Sequence, residues 1–179
     1  LEYVEKPVPG DDELRVRVHA AGVNPLDWHY MRGTPYLMRL SSGLRKPKDT
    51  RLGVDYAGTV EAVGRNVTRF KPGDQVFGGR SGALAQYVVA KQNGAVALKP
   101  ANVSFEQAGA VAIAATTALQ GLRDAGRLEA GDRVLINGAS GGVGTFAVQI
   151  AKSMGAEVTA VCSTRNVEMV RALGADHVI

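Results

Sequence analysis

The sequence predicts an α/β chain in two parts, with short strands and turns up to about residue 100 and a strand–helix–strand unit after it. Two observations support this division. In the first part, runs in which apolar and polar residues alternate are separated by turn pairs such as Pro9-Gly10 and Pro72-Gly73. In the second part, the apolar run 134–136 breaks into glycines, and apolar residues then recur at helical spacing. We therefore expect one domain over residues 1–100 and the first part of another over residues 101–179.

The first part is predicted to be an irregular barrel. Its first strand shows the pattern of a half-buried strand, because Leu14, Val16 and Val18 alternate with charged residues and a histidine. Short strands that are separated by turns at this spacing are typical of a barrel. Further strands are predicted over residues 55–63, 75–77, 84–89 and 94–98.

The second part is predicted to begin with a helix. Ser104 and Gln107 have the spacing of a capping box, which indicates a helix that runs from there towards Leu122. The pair Gly131-Asp132 then predicts a turn, after which the β-branched and leucine residues within 133–137 indicate a strand that is buried on both faces.

A second helix follows the glycines and leads into a second strand. Gly155 is predicted to end this helix, since glycine adopts the left-handed conformation at a helix terminus at little cost. The run 157–161 is the second strand, and residues 175–179 indicate the beginning of a third. One face of the helix is apolar and is predicted to face inward: Val143, Phe146, Ala147, Ile150, Ala151 and Met154.

The glycine-rich turn between the first strand and this helix is predicted to bind the pyrophosphate of a dinucleotide. Glycines let the backbone approach the phosphates closely, and the first N–H groups of the following helix attract their negative charge. The order of strand, glycine turn, helix and strand makes the prediction more specific than a glycine pattern alone. The candidate cofactor-binding residues of the turn are Gly138, Ser140, Gly141, Gly142, Val143 and Gly144.

The residues after the second strand favour NADP(H) over NAD(H). NAD enzymes usually carry Asp or Glu about 20 residues after the glycines, where the carboxylate binds the ribose 2′-hydroxyl. Here the chain instead carries Cys162 and then Ser163, Thr164 and Arg165. Two hydroxyls and a guanidinium suit a 2′-phosphate, which a carboxylate would repel. We therefore expect the last three residues to bind the 2′-phosphate of NADP(H).

Composition excludes several functional classes. The net charge of +4 arises from 21 basic and 17 acidic residues, a balance that does not indicate a nucleic-acid partner. The single Cys162 excludes an internal disulfide and is typical of a reducing compartment, so we expect a cytoplasmic protein. The three histidines are not spaced as zinc ligands, and we expect no metal site. The longest weakly polar run, 108–119, is too short to span a membrane.

The glycine spacing fits two families, and its place in the chain separates them. Short-chain dehydrogenases open with their glycine turn and carry a catalytic Tyr-x-x-x-Lys after it. Here more than 100 residues precede the turn, and the Tyr87 to Lys91 match lies before it, within a predicted strand. The spacing of Gly138, Gly141 and Gly144 instead fits the turn of zinc-free medium-chain reductases.

Several phrases along the chain match this second family. They are Gly22-Val23-Asn24-Pro25-Leu26-Asp27, Leu52-Gly53-Val54-Asp55-Tyr56-Ala57-Gly58, Phe70-Lys71-Pro72-Gly73-Asp74 and Ala114-Ala115-Thr116-Thr117-Ala118-Leu119. The chain resembles the zinc-free, quinone-oxidoreductase-like branch of the medium-chain dehydrogenase/reductase superfamily. This resemblance implies a GroES-like barrel that carries the substrate site, followed by the first part of a Rossmann domain. It also implies a natural protein roughly twice as long that forms a homodimer.

The resemblance also implies a chemical site. It places Asn24, Asp27 and His29 along the cleft for nicotinamide and substrate, with Thr117 near the nicotinamide. Asn24 and Asp55 stand where zinc alcohol dehydrogenases carry a metal-binding cysteine and histidine, and a neutral amide and a carboxylate do not suit such a site. His29 stands where relatives often carry tyrosine, which leaves the identity of the proton donor open.

The expected function is hydride transfer from NADPH to a quinone or an α,β-unsaturated carbonyl without a metal. Donors around Asn24 and His29 would polarise the substrate oxygen. Two alternatives stay open. One is a nucleotide-binding structural or interaction protein of the same fold that does not turn over substrate. The other is a metal-free alcohol dehydrogenase that oxidises simple alcohols.

Overall fold

The structure, a computed structural model, describes residues 3–179. This part of the chain divides into two compact units, and the boundary in the sequence falls between Ile113 and Ala114. The sequence analysis places the domain boundary near residue 100 instead. Residues 101–113, which it assigns to the second domain, belong to the first unit because the helix within them packs against two strands of that unit.

The first unit is built on an antiparallel sheet, which has five strands in the part of the chain that the structure describes. The strands lie in the order β4-β1-β2-β3-β5, which confirms the predicted β-rich region. Leu14, Val16, Tyr56, Val60 and Val76 are fully buried in its core. The strands are β1 (Glu13–Gly22), β2 (Asp55–Val63), β3 (Gln75–Gly79), β4 (Tyr87–Lys91) and β5 (Val96–Leu98).

The connection between β1 and β2 contains helices, where the sequence analysis predicted only strands and turns. That prediction was wrong for α1 (Pro25–Arg32), the 3₁₀ turn Tyr36–Met38 and α2 (Arg39–Ser42). Helix α1 has Pro at its first position and ends at Gly33 in the left-handed conformation, both of which are helix signals. It lacks an apolar stripe, because its only buried residue among those described is Asp27.

The second unit contains a parallel sheet of β6 (Arg133–Asn137), β7 (Glu157–Val161) and β8 (His177–Val178) in that order, counting the described residues only. Helix α5 (Gly142–Ser153) connects β6 to β7 and buries its apolar side on the sheet. The 3₁₀ turn Thr164–Asn166 and helix α6 (Val167–Ala172) connect β7 to β8. Both strands of the predicted strand–helix–strand unit and the helix between them are confirmed.

The helix predicted from Ser104 towards Leu122 is divided into α3 (Phe105–Ala108), α4 (Ala112–Leu119) and a π-helical turn, Gln120–Ala125. The capping box is present, since the Gln107 N–H donates to the Ser104 hydroxyl at 3.2 Å and the Ser104 N–H to Gln107 Oε1 at 3.0 Å. Gly109 ends α3. At the end of the π-helical turn, the Gly126 N–H donates to the carbonyl of Gly121, five residues back, which makes this turn wider than an α-helical one. No helix among residues 3–179 is long and apolar enough to cross a bilayer.

Candidate functional site

The glycine turn joins the end of β6 to the start of α5. Gly138 has φ +70°, a left-handed conformation that glycine adopts without strain, and its carbonyl accepts the Gly141 N–H at 2.9 Å. The Ala139 N–H donates to the Val161 carbonyl at 3.0 Å, which ties the turn to the end of β7. Gly141 is the N-cap of α5, so the first N–H groups of this helix lie at the carboxyl end of the parallel sheet. Such a terminus attracts phosphate.

The four glycines of the turn fall into two groups by the space around them. A Cβ on Gly138 or Gly142 would meet no atom within 4 Å. A Cβ on Gly144 would lie 2.2 Å from the Gly138 carbonyl oxygen, far inside contact distance, and one on Gly141 would lie 3.3 Å from the same oxygen. Gly138 and Gly142 therefore leave an open side from which a ligand can approach, whereas Gly144 lets α5 pack closely on the turn.

The residues predicted to bind a 2′-phosphate lie just after β7. Ser163, Thr164 and Arg165 are exposed around the 3₁₀ turn. The first acid after β7 is Glu168, and it pairs with Arg171 at 2.9 Å. The described structure therefore brings hydroxyls and a guanidinium, without a free carboxylate, to the end of this strand.

Asn166 connects this segment to the glycine turn, and the sequence analysis missed it. Its Nδ2 atom donates to the Ser140 hydroxyl oxygen at 3.0 Å and to the Ser163 hydroxyl oxygen at 3.1 Å. The amide thereby holds together two hydroxyls that come from different loops of the candidate site. The sequence offered one signal for this residue: it is an asparagine at the end of the polar run that follows the second predicted strand.

Thr117 lies on α4 and lines a cavity of about 630 Å³ within the second unit. The cavity is bounded by α4, the π-helical turn, β6 and the start of α5, and Val143 also lines it. Thr117 and one residue of the predicted glycine turn thus line the same cavity.

In the first unit, Asp27 fixes the start of α1. It is only 7% exposed, and both of its carboxylate oxygens accept backbone N–H groups. Oδ2 accepts from Asn24 at 2.8 Å, and Oδ1 accepts from Gly53 at 3.0 Å. Asp27 therefore joins the first turn of the helix to the segment just before β2.

The Asn24 side chain is held by Asp55 at the start of β2, which the sequence analysis did not place among the candidate site residues. Asn24 Nδ2 donates to Asp55 Oδ2 at 2.8 Å, and the Ile113 N–H donates to Asp55 Oδ1 at 2.8 Å. Asp55 is 1% exposed. Burial raises the pKa of the Asp55 carboxyl, the two hydrogen bonds oppose this rise, and the charge of Asp27 adds to it. A buried carboxyl with a perturbed pKa is typical of functional sites.

His29, on the same helix, has a defined tautomer in its neutral form. Its Nδ1 atom lies 2.7 Å from the Thr34 carbonyl oxygen. A carbonyl only accepts hydrogen bonds, so Nδ1 carries the proton and Nε2 has the lone pair. The ring packs edge-on against Trp28, with 4.8 Å between ring centroids. Only a protonated His29 can donate a hydrogen bond from Nε2.

The described residues 3–179 contain no group of three or more His, Cys, Asp or Glu side chains that could hold a metal ion. In the first unit a cavity of about 390 Å³ lies beside Asp27, and neither Asn24 nor His29 is among the residues that line it. That cavity is also lined by Tyr30, Lys48 and Arg51.

Two family models match the chain. The alcohol dehydrogenase GroES-like domain matches residues 10–101, and the zinc-binding dehydrogenase model matches residues 142–179. The first match covers the sheet of the first unit, and the second begins within the glycine turn.

Relatives of the chain are oxidoreductases. It is 42% identical to the quinone-oxidoreductase homolog, chloroplastic, of Spinacia oleracea, over 100% of this chain and 56% of the relative. It is 42% identical to the trans-enoyl reductase pgmF of Aspergillus terreus, over 95% and 49% of the two chains. The solved Escherichia coli quinone oxidoreductase complexed with NADPH is similar, with a TM-score of 0.83 at 29% identity over 100% of this chain and 53% of that one. The chain spans about half the length of the curated relatives it matches.

Proposed function

Because the chain belongs to the quinone-oxidoreductase-like branch of the medium-chain dehydrogenase/reductase superfamily, we propose that the whole protein is an NADPH-dependent reductase of quinones or α,β-unsaturated carbonyls that works without a metal. One observation carries this proposal. The open glycine turn and the hydroxyl- and guanidinium-bearing segment after β7 lie side by side, joined by Asn166. This arrangement suits a dinucleotide with a 2′-phosphate.

The turn would hold the pyrophosphate. Gly138 and Gly142 leave space for it, and the first N–H groups of α5 would donate to its oxygens. Ser163, Thr164 and Arg165 would bind the 2′-phosphate through charge-assisted hydrogen bonds. When bound, the reduced nicotinamide supplies the hydride. The NADPH in the similar Escherichia coli structure is consistent with this choice of cofactor.

The first unit would supply the polar groups for the substrate. Asn24 would orient the bound ligand, and a protonated His29 would donate from Nε2 to the substrate oxygen as negative charge develops there. Asp27 would support both by fixing the first turn of α1. Thr117, which lines the same cavity as Val143 of the glycine turn, would contact the nicotinamide. With this donor set, polarisation of the substrate needs no metal.

We expect a cytoplasmic homodimer that takes a small-molecule carbonyl or quinone and neither nucleic acid nor a membrane. The Spinacia oleracea relative carries the word chloroplastic in its name. Fractionation of cells of the source organism would therefore test the cytoplasmic location.

The proposed activity is tested by NADPH oxidation with the whole natural protein and a panel of quinones, enals and enones. We expect turnover with NADPH and much less with NADH, and no zinc by metal analysis. Binding of NADPH without turnover of any acceptor would instead favour the nucleotide-binding interaction protein. Oxidation of simple alcohols with NADP would favour the metal-free alcohol dehydrogenase. One tightly bound zinc per chain would contradict the metal-free mechanism.

A further inference from the structure

Asp55 lies behind Asn24, and no family model or relative described above assigns it a role. We propose that Asp55 is a positioning residue that fixes the orientation of the Asn24 carboxamide, with Nδ2 directed to Asp55 and Oδ1 on the opposite side. This inference rests on the proposed function, in which Asn24 orients the bound ligand.

The geometry leaves one orientation for the amide when Asp55 is ionised. A carboxylate only accepts hydrogen bonds, so the atom of Asn24 that lies 2.8 Å from Asp55 Oδ2 must be the donor Nδ2. In a planar carboxamide, Oδ1 then lies on the side away from Asp55. If Asn24 contacts the ligand as proposed, it does so through this acceptor, which suits an N–H or O–H group. The donor that polarises the substrate oxygen must then be another residue, such as His29.

Asp55 itself is held in one position. Its other oxygen, Oδ1, accepts the Ile113 N–H at 2.8 Å at the start of α4. Its Cα pairs with those of Gly22 on β1 and Gly79 on β3, so its backbone lies inside the sheet. A side chain that is 1% exposed and bonded at both oxygens cannot rotate without breaking a hydrogen bond. The orientation that it imposes on Asn24 is thus set by the fold.

Protonation of Asp55 would permit the opposite orientation. A protonated carboxyl can donate to Oδ1 of a rotated Asn24 amide, and Nδ2 would then lie on the side away from Asp55. The charged group that acts on Asp55 in the described structure is Asp27, whose carboxylate disfavours a second negative charge. The two neutral donors, from Asn24 and Ile113, favour the ionised form. Burial has the largest effect and raises the pKa of Asp55, which brings the reversal closer to neutral pH.

The first test needs no enzymatic activity. Asparagine side-chain amides of the whole protein are observed by NMR after isotopic labelling of asparagine, and the Asn24 signal is assigned by its loss in Asn24→Ala. We expect this signal to shift as pH falls, with a midpoint above the ordinary Asp value of 3.8. In Asp55→Asn the shift should disappear. An Asn24 signal that does not change with pH in the wild-type protein would overturn the proposal without any Asp55 variant.

The second test measures hydride transfer. Asp55→Asn should lower kcat by on the order of tenfold and leave the KM for NADPH within about twofold. It should also remove the acidic limb of the pH–rate profile. Asp74→Asn is the matched control, because Asp74 also accepts a backbone N–H, from Lys71 at 2.9 Å. This control variant should leave kcat and the pH–rate profile unchanged. An unchanged profile in Asp55→Asn would overturn the positioning role. If the wild-type protein transfers no hydride, the proposed function fails, and the NMR titration still decides the role of Asp55.

Discussion

Gly144 offers a direct test of the two groups of glycines in the turn. In Gly144→Ala the added methyl would lie 2.2 Å from the Gly138 carbonyl oxygen and 2.7 Å from Ala139 Cα. Ordinary contacts begin at 3.4 Å, so α5 and the turn must separate by about 1.2 Å. The contacting atoms are backbone atoms and cannot rotate away. The Gly138 carbonyl also accepts the Gly141 N–H, so a shift of this size disturbs the hydrogen bond that closes the turn.

The expected loss of stability follows from two opposing effects. Inserting a methyl into a packed site costs about 3 kcal/mol when the backbone must move. Alanine is favoured over glycine within a helix by about 1 kcal/mol. The net effect of Gly144→Ala is therefore a loss of about 2 kcal/mol in the free energy of unfolding. Gly142→Ala is the matched control, since its methyl meets no atom within 4 Å and should stabilise the protein by up to about 1 kcal/mol.

Urea denaturation of the whole protein and both variants measures these changes, and titration with NADPH gives a second readout. Gly144→Ala should unfold at a lower urea concentration with an unchanged slope. Gly142→Ala should unfold at no lower a urea concentration than wild type. Its methyl occupies the open side of the turn, however, and should weaken NADPH binding on the order of tenfold. Equal stability of Gly144→Ala and wild type would refute the packing role of this glycine.

Three further predictions each concern one side chain. Arg165→Ala should weaken NADPH binding ten- to a hundredfold, from a loss of roughly 1.5–3 kcal/mol, and leave NADH binding unchanged; equal losses in fluorescence titrations would contradict a 2′-phosphate contact. The Arg51 guanidinium lowers the pKa of Asp49 to about 2, so the pair stabilises the protein above pH 3.8 and this contribution is lost as pH falls towards 2. Thermal melts of Asp49→Asn should lack that pH dependence. The Tyr56 hydroxyl is buried with no partner among the described residues, so Tyr56→Phe should melt no lower than wild type, and a lower melting temperature would reveal a partner.

Local sequence patterns identified much of the fold. The bounds of β2 and β7 agree with the predicted strands, because each is a run of strand-forming residues that ends at a turn. Gly155 ends the helix region with φ +84°, as predicted. Helix α1 was missed because a helix with one buried residue among those described has no periodic apolar signal. The helix from Ser104 was predicted too long, since periodicity does not show where a glycine such as Gly109 ends a short helix.

The candidate site was less predictable than the fold because its contacts are not local. The glycine turn was found from sequence since all its parts lie within one strand–helix connection. Asn166 and Ser140 are 26 residues apart, and Asn24 and Asp55 are 31 residues apart. No spacing rule connects such residues, so their hydrogen bonds became visible only in the folded chain.

The long separations around Asp55 also bear on how the first unit folds. Its contacts span 31 residues to Asn24 and 58 to Ile113, and Asp27 spans 26 to Gly53. Closing loops of this length costs chain entropy before any single hydrogen bond can compensate for it. We therefore expect these contacts to form late, after β1 and β2 have paired. Hydrogen exchange at the Gly53 and Ile113 amides would then report when the sheet opens, because neither bond can persist once the strands separate.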